Sequence, residues 1–344
     1  MSDPDMWMIV GIMLGSTSSS NKKDMLNEKR NEAYSKCETI MTWDDASNSQ
    51  LIRNGDTAVF AFDSFLNETV DHFKWSLDYA KDNGIKRFVL DVSCNTGGNS
   101  DAVMYMIAVM TGSNEAAIRS FMTIDGNITR DDFRLDLNLD GEINDLDKEV
   151  KYDFEYAVLT SGISFSCGNL LPSLAKNNGI AVIGETSGSG SCSLLFNFTP
   201  EVFPYTLSGF NKLISVDNKD IDSGITPDYA LTKEITNEFG MADTDYSGLY
   251  DIVAYSTLID EFYGVTDEPS EEPSEEPADE PTEEPADDNS VQQSDTPSQQ
   301  TSVTPSESGI PATGDSNFAV IALLSVITSC AVITLTVLIR KRED

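Results

Sequence analysis

Short apolar runs alternate with segments of helical spacing through the middle of the chain. Five runs rich in β-branched and aromatic residues are typical of buried strands: 57–62, 87–92, 156–160, 180–183 and 194–198. Apolar residues recur at helical spacing in four segments: 70–81, 101–110, 170–175 and 250–262. This alternation predicts an α/β domain with a largely parallel central sheet.

The polar pattern after residue 266 predicts a linker rather than a folded domain. Residues 267–288 read DEPSEEPSEEPADEPTEEPADD, which holds 12 of the 58 acidic residues and no basic residue. Such a segment cannot bury enough apolar surface to offset the entropy that is lost when it orders. We therefore expect residues 267–309 to form a disordered, extended linker.

The part of the chain before this linker divides into a core and two flanking segments. We expect a core at 57–235 with an insertion at 125–150, followed by a helical segment at 236–266. Residues 1–56 are interpreted as an N-terminal remnant, because the first residues carry two aspartates where an export signal would be basic. We therefore expect this chain to begin inside a longer protein.

An uncharged run near the C-terminus predicts a membrane anchor within residues 310–344. Residues 318–339 contain no charge, and a helix of that length spans a bilayer core of roughly 30 Å. Arg340, Lys341 and Arg342 follow at once, as is typical of the cytoplasmic side of a membrane helix. The sequence therefore predicts one transmembrane helix after the linker.

A pentapeptide before this helix resembles the sorting signal of Gram-positive cell-wall proteins, a Leu-Pro-x-Thr-Gly pattern. Its residues are Ile310, Pro311, Ala312, Thr313 and Gly314. The resemblance implies that a sortase cleaves between the threonine and the glycine and joins the threonine to peptidoglycan. It also implies an extracellular protein, anchored to the wall or membrane of a Gram-positive bacterium. A simple membrane anchor is the alternative, because isoleucine replaces the usual leucine.

The net charge limits the partners that the protein can have. The chain has 58 acidic and 22 basic residues, which gives a formal net charge of −36. This charge argues against a nucleic acid partner, which needs clustered lysines and arginines, and it suits a secreted protein. Since His72 is the single histidine, a metal site made of several histidines is excluded as well.

Two loops that follow predicted strands carry residues suited to catalysis. Residues 91–99 read DVSCNTGGN, in which Gly97 and Gly98 can present backbone N–H groups to an anion. Residues 164–169 read SFSCGN, in which Ser166 stands at a strand-to-helix turn. Taken alone, the first loop is equally well an asparagine-rich turn, and the second is an ordinary serine N-cap.

Together with Gly224–Asp228, which reads GITPD, these loops resemble the C-terminal-processing, or tail-specific, serine peptidases, a family related to the tricorn protease. The resemblance implies a crotonase-like α/β core and a serine-type peptidase that acts on a peptide or protein substrate. It places the nucleophile at Ser166. It places the oxyanion donors at the backbone N–H groups of Cys167 and of Gly97 or Gly98.

The chain departs from this family at the general base. The family's lysine lies within Gly-Glu-Lys-Thr-Phe-Gly-Lys-Gly, whereas residues 184–191 read GETSGSGS and no lysine lies between residues 177 and 206. His72 lies outside the histidine motif of the tricorn branch, so we expect it on a helix surface or at an interface. The base is thus not identified in this chain. The alternative function is a non-catalytic peptide-binding or scaffold protein of the cell wall.

An acidic loop in the core resembles the twelve-residue calcium loop of EF-hand and dockerin modules. Residues 136–147 read DLNLDGEINDLD. The expected ligands are the side chains of Asp136, Asn138, Asp140 and Asp147 and the backbone carbonyl of Glu142. Oxygen donors at this spacing favour Ca²⁺, and we expect the ion to stabilise the structure of the insertion. An acidic surface turn is the alternative.

The cysteines predict no disulfide scaffold. Five cysteines are scattered along the chain, and none forms a C-x-x-C pair. The resemblance places Cys167 and Cys192 beside the same cleft, where a disulfide and two free thiols are both compatible with an extracellular protein.

The sorting signal predicts that the C-terminal segment is removed from the mature protein. Mass spectrometry of the wall fraction should detect peptides that end at Thr313 and none from residues 314–344. Detection of that tail on the mature surface protein would contradict the prediction.

Overall fold

The computed structural model describes residues 21–190, 192–199 and 202–265, with side chains described outside residues 191–208. The expected linker at 267–309, the sorting pentapeptide and the apolar run at 318–339 lie outside the described residues. Among the described helices, none combines the length and the apolar character that crossing a bilayer requires.

The periodicity of the sequence predicts nine elements, and the structure confirms all nine with ends shifted by a few residues. In chain order the helices and strands are α1 (21–34), β1 (Glu38–Thr42), β2 (Gln50–Asn54), β3 (Thr57–Ala61), α2 (Asn67–Asp82), β4 (Arg87–Asp91), α3 (Ser100–Thr111), β5 (Glu115–Met122), β6 (Ile128–Arg134), β7 (Glu155–Thr160), α4 (Cys167–Asn177), β8 (Ala181–Gly184), β9 (Cys192–Thr199), β10 (Val202–Ile214), β11 (Tyr229–Ala230), β12 (Lys233–Thr236), β13 (Ala242–Asp245) and α5 (Ile252–Tyr263).

The central sheet is mixed, in the order β1-β2-β3-β4-β7-β8-β11. The five strands from β3 to β11 run parallel, as the alternation of strands and helices predicts. The strands β1 and β2 add an antiparallel edge, which the periodicity does not predict. A tight turn with Gly55 at φ 62° joins β2 to β3, so residues expected to form a remnant belong to the same sheet.

Helices cover both faces of this sheet because alternate residues of its strands point to opposite sides. Phe60 and Phe88 pack with the cluster that contains α2, α3 and α4. Val59 and Val89 pack with the cluster that contains α1 and α5. The result is a mixed α/β fold of three layers, in which both faces of β3, β4, β7 and β8 are buried except at Glu155. The crotonase-like topology stays a prediction.

A second sheet, in the order β6-β5-β10-β9, is antiparallel throughout. Its β5–β6 hairpin precedes the acidic loop, so the insertion expected at 125–150 is longer than the sequence indicates. A further hairpin of β12 and β13 lies in the segment expected to be helical, before α5. The side chain of Asp251 caps α5, and Gly264 ends it at φ 69°.

A buried arginine fastens α5 to the parallel strands. The Arg87 side chain is 9% exposed; its Nε and Nη2 donate to the Asp260 carboxylate of α5 at 2.6 and 2.7 Å. Its Nη1 donates to Asp56 Oδ1 at 2.6 Å. The paired geometry satisfies most of the guanidinium. Its removal would take the cation from the partly buried Asp260 carboxylate, whereas Asp56 would keep its ion pair with Lys86 at 3.4 Å.

We predict that Arg87→Met lowers the free energy of unfolding by about 3 kcal/mol, because the partly buried Asp260 carboxylate loses its paired cation. Urea unfolding measures the change. Lys36→Met is the matched control, since Lys36 forms an exposed pair with Glu32 and should have no measurable effect. An equal effect of the two substitutions would contradict the prediction.

Candidate active site

Ser166 lies at a strained turn between β7 and α4. Its backbone has φ 55° and ψ −116°, a conformation that residues other than glycine rarely adopt. The turn is fixed on both sides: Ser166 N–H donates to Ser189 O at 3.0 Å, and Leu170 N–H donates to Ser166 O at 2.9 Å. The side chain is half-buried. This geometry presents the hydroxyl at the N-terminus of α4, where the helix dipole favours developing negative charge.

The diglycine loop after β4 reaches this serine directly. A Cβ placed on Gly97 would lie 2.7 Å from Ser166 Cβ and 3.1 Å from Ser166 Oγ. The glycine has φ 111°, so both its space and its backbone exclude a side chain. Since β4 and β7 are parallel neighbours, the loops after their carboxyl ends meet at one edge of the sheet.

A fully buried asparagine joins the two loops. The Asn95 carbonyl accepts from Phe165 N–H at 3.0 Å, and its Oδ1 accepts from Gly97 N–H at 2.8 Å. Its Nδ2 donates to Phe62 O at 3.2 Å. The sequence reasoning gave Asn95 no role, although an Asn two residues before a glycine is a signal for this side-chain turn.

The Asn95 contact narrows the choice of oxyanion donors. Because Gly97 N–H is engaged, Gly98 and Cys167 supply the remaining candidate N–H groups. In the part of the chain that the structure describes, neither of these two N–H groups donates to a backbone carbonyl. Gly98 has φ 139°, and a Cβ there would lie 2.2 Å from Phe65 O, so this position also requires glycine.

The Cys167 thiol lies beside the same loop as a free cysteine. Its Sγ donates to Gly98 O at 3.1 Å. Burial raises the pKa of the Cys167 thiol to about 12, so it stays protonated at neutral pH and is not a competing nucleophile. Cys167 is a free thiol in this structure, whereas the sequence leaves a disulfide and two free thiols equally open. The Cys192 side chain lies outside the described side chains.

The GITPD motif packs on the far side of the serine turn. Asn169 Nδ2 donates to Ile221 O at 2.8 Å, and Ser187 Oγ donates to Asn169 Oδ1 at 2.7 Å. Ile225 N–H in turn donates to Ser187 Oγ at 2.7 Å, and a Cβ on Gly224 would lie 2.2 Å from Ser187 O. The three sequence motifs therefore form one connected hydrogen-bonded unit.

His72 contacts the segment between β1 and β2. Its Nε2 lies 3.3 Å from Asp45 Oδ2, its Nδ1 lies 3.5 Å from Ser47 Oγ, and its ring stacks on Trp43 at 4.4 Å. Burial lowers the pKa of His72, against the opposing attraction of Asp45. Among the described side chains, no hydrogen bond joins His72 to Ser166, and the expected helix-surface or interface role of His72 stays a prediction.

The acidic loop adopts a tight turn around two buried carboxylates. Asp136 accepts from the N–H groups of Asp140 at 3.2 Å and Gly141 at 2.7 Å, and Asp147 accepts from Leu137 N–H at 2.8 Å. The residues Asp136 and Asp147 are 1% and 0% exposed. The carboxylates of positions one and twelve of the motif thus fix the loop from its two ends.

The exposed side of this loop supplies further oxygens. Asn138 Oδ1 accepts from Asp140 N–H at 2.9 Å, and Asp140 Oδ1 accepts from Glu142 N–H at 2.8 Å. Within the described ranges, no three His, Cys, Asp or Glu side chains converge closely enough to hold a metal ion. The donor set consists of oxygens, which is the chemistry that Ca²⁺ prefers.

The family follows from the sequence match that spans these loops. The model of Peptidase family S41 matches residues 56–231, half of the chain. The chain belongs to peptidase family S41. Its matched region contains the diglycine loop, the Ser166 turn and the GITPD motif, and family membership supports a serine peptidase-type function. No curated protein sequence matches the chain.

Three solved structures are similar to parts of the chain. A candidate peptidase from Parabacteroides merdae ATCC 43184 has 14% identity over 67% of this chain and 69% of its own, with a TM-score of 0.46. The photosystem II D1 C-terminal processing protease has 15% identity over 61% of this chain and 48% of its own, with a TM-score of 0.40. A lipoprotein from Streptococcus agalactiae has 15% identity over 53% of this chain and 64% of its own, with a TM-score of 0.39. The chain therefore spans about half of the processing protease and less than two thirds of the lipoprotein.

We predict that Gly97→Ala slows reaction of Ser166 with a fluorophosphonate by about a hundredfold, because the new Cβ displaces the loop from the serine. Gly126→Ala is the matched control, since Gly126 also has positive φ, at 75°, but nothing lies within 4 Å of its Cβ position. Labelling rates of the folded variants provide the measurement. Equal rates for the two variants would contradict the prediction.

Proposed function

We propose that the chain is a serine peptidase of the C-terminal-processing type, with Ser166 as nucleophile and a peptide or protein as substrate. The observation that carries this proposal is the contact between Ser166 and the diglycine loop. A hydroxyl at a helix N-terminus beside two backbone N–H groups suits attack on a carbonyl that becomes an oxyanion. The S41 family membership supports the same reaction class.

In the proposed reaction, Ser166 Oγ attacks the scissile carbonyl carbon and loses its proton. The carbonyl oxygen becomes an oxyanion that accepts from the N–H groups of Gly98 and Cys167. Collapse of this intermediate breaks the peptide C–N bond, and the leaving amine takes up a proton. Water then hydrolyses the acyl-enzyme and restores the Ser166 hydroxyl.

The proton acceptor in this scheme is not the family's lysine. Residues 184–190 place the Ser189 carbonyl and Gly190 against Ser166: a Cβ on Gly190 would lie 2.9 Å from Ser166 N. Serine and glycine residues in this turn cannot take the proton from the hydroxyl. We propose that the base comes from a segment other than residues 184–191. The alternative, a peptide-binding scaffold without catalysis, is favoured by this same substitution.

We further propose that the protein acts outside the cell. The support is in the sequence: the sorting-like pentapeptide at 310–314 precedes an apolar run and a basic tail, and the net charge of −36 suits a wall-exposed protein. Sortase, peptidoglycan and the membrane are its proposed partners, with the acidic linker as the spacer between the wall and the peptidase domain.

We also propose that the loop at 136–147 binds Ca²⁺ and stabilises the insertion. To hold the ion, the oxygens of Asp136, Asn138, Asp140, Glu142 and Asp147 would have to come closer together than they are in this structure. Ca²⁺ would supply positive charge that offsets repulsion among these carboxylates, while the loop residues fix the connection from the second sheet to β7.

We predict that a fluorophosphonate labels Ser166 in the full-length protein, and that Ser166→Ala lowers labelling and peptide cleavage by about a thousandfold or more. Mass spectrometry identifies the labelled residue. Ser35→Ala, an exposed serine after α1, is the control and should label at the normal rate. Absence of labelling at every pH, with peptide binding retained, would refute catalysis and favour the scaffold.

We predict that Ca²⁺ raises the melting temperature and that a chelator reverses the effect. Asp136→Asn should abolish the heat of Ca²⁺ binding in calorimetry, because it removes a buried carboxylate from the first ligand position. Asp145→Asn is the control, since Asp145 is exposed and pairs with Lys148 outside the ligand set. A melting temperature indifferent to the chelator would rule out the site.

A further inference from the structure

The segment after β3 supports the diglycine loop through three backbone hydrogen bonds. Thr96 N–H donates to Asp63 O at 3.2 Å, Phe65 N–H donates to Gly97 O at 2.9 Å, and Asn99 N–H donates to Phe65 O at 2.8 Å. These bonds continue the parallel pairing of β3 and β4 beyond the ends of both strands. The position of the diglycine N–H groups therefore depends on the position of Asp63 and Phe65.

A buried arginine of α1 fixes Asp63. Arg30 Nη2 donates to Asp63 Oδ1 at 2.8 Å, and the Arg30 side chain is only 1% exposed. The other partners of the carboxylate are weaker: Asn48 is uncharged and donates at 3.0 Å, and the Lys23 amine is 3.9 Å away. The Arg30–Asp63 pair is thus the strongest tie between α1 and the segment that supports the loop.

The remaining donors of Arg30 do not explain its burial. Nη2 also donates to Asn27 Oδ1 at 2.9 Å, but Nε and Nη1 have no hydrogen-bond partner among the described residues. A buried guanidinium with two donors unpaired is costly, and a buried ion pair is in general weak evidence for stability. Stability alone therefore does not explain why Arg30 is buried. Its one well-formed ionic contact is with Asp63, whose carbonyl accepts a hydrogen bond from the diglycine loop.

We propose that Arg30 is a positioning residue for the oxyanion-donor loop. Arg30 holds the Asp63 carboxylate, the Asp63 carbonyl holds Thr96, and Thr96 directly precedes the diglycine pair. One side chain of α1, in the part of the chain expected to be a remnant, then supports the oxyanion-donor loop through Asp63. The kinetic consequence of this inference rests on the proposed peptidase function, whereas its structural consequence does not.

The test compares Arg30→Met, Asp63→Asn and the double variant with the unaltered full chain. Each single variant should slow fluorophosphonate labelling of Ser166 by about tenfold or more, because a small displacement of the N–H donors weakens the transition state. The double variant should be no slower than the slower single variant, since both changes cut the same connection. If Arg30→Met does not fold, Arg30→Lys, which retains the charge and one donor, should give an intermediate rate.

Leu26→Ala separates positioning from a general loosening of α1. Leu26 is fully buried on the same helix, so its truncation lowers stability through packing without changing the ion pair. Even if Leu26→Ala lowers the melting temperature as much as Arg30→Met does, Ser166 should still be labelled at close to the normal rate in Leu26→Ala. Equal slowing by Leu26→Ala, or a normal rate for Arg30→Met, would overturn the proposal.

Amide hydrogen exchange distinguishes failure of this inference from failure of the proposed function. The hydrogen-bonded amides of Thr96, Gly97 and Asn99 should exchange faster in Arg30→Met than in Leu26→Ala, whether or not the protein cleaves peptides. If the unaltered chain is not labelled and does not cleave peptides, the proposed peptidase function fails. The exchange comparison still tests whether the Arg30–Asp63 pair positions the diglycine loop. Unchanged exchange of these amides in Arg30→Met would refute the positioning role of Arg30.

Discussion

The close approach of Gly97 to Ser166 is the constraint on which the rest of the site depends. It brings the Ser166 hydroxyl against the diglycine loop, which is possible because Gly97 has no side chain at the point of contact. Asn95 maintains the approach, since its backbone carbonyl holds the serine loop and its side chain holds the glycine loop. The strained φ of Ser166 is tolerated because hydrogen bonds fix the turn from both sides.

The architecture of the sheet places this contact where it is. Parallel strands β4 and β7 are adjacent, and the loops after them meet at the same edge. Helices on both faces bury the strands, so the edge can carry a strained turn without loss of the fold. The turn after β8 and the GITPD motif are joined to the serine loop through Ser187 and Asn169. These hydrogen bonds connect the diglycine loop, the serine loop, the turn after β8 and the GITPD motif into one unit.

The local patterns in the sequence predict β3, β4, β7 and β8 and the helices α2 to α5 correctly, and burial on both faces of the sheet explains continuous apolar runs such as 87–92. They do not predict α1. The same reasoning misses β1, whose residues are mostly exposed and carry no buried pattern. The convergence of Gly97 and Ser166 is expected from the resemblance to a peptidase family. The spacing of Asn95 and Gly97 is a signal for the local side-chain turn, but the contact of Asn95 with Phe165 and the Arg30–Asp63 pair could not be predicted, because each joins segments far apart in the chain.

The central claim is that Ser166 and the N–H groups of Gly98 and Cys167 face one reacting carbonyl. A crystal structure of the full-length protein after reaction with a fluorophosphonate tests it most directly, since the phosphonyl oxygen occupies the place of the oxyanion. The account predicts a bond from phosphorus to Ser166 Oγ and hydrogen bonds from both N–H groups to that oxygen, at about 2.7–3.1 Å. A phosphonyl group on another residue, or an oxygen directed away from the diglycine loop, would contradict the account.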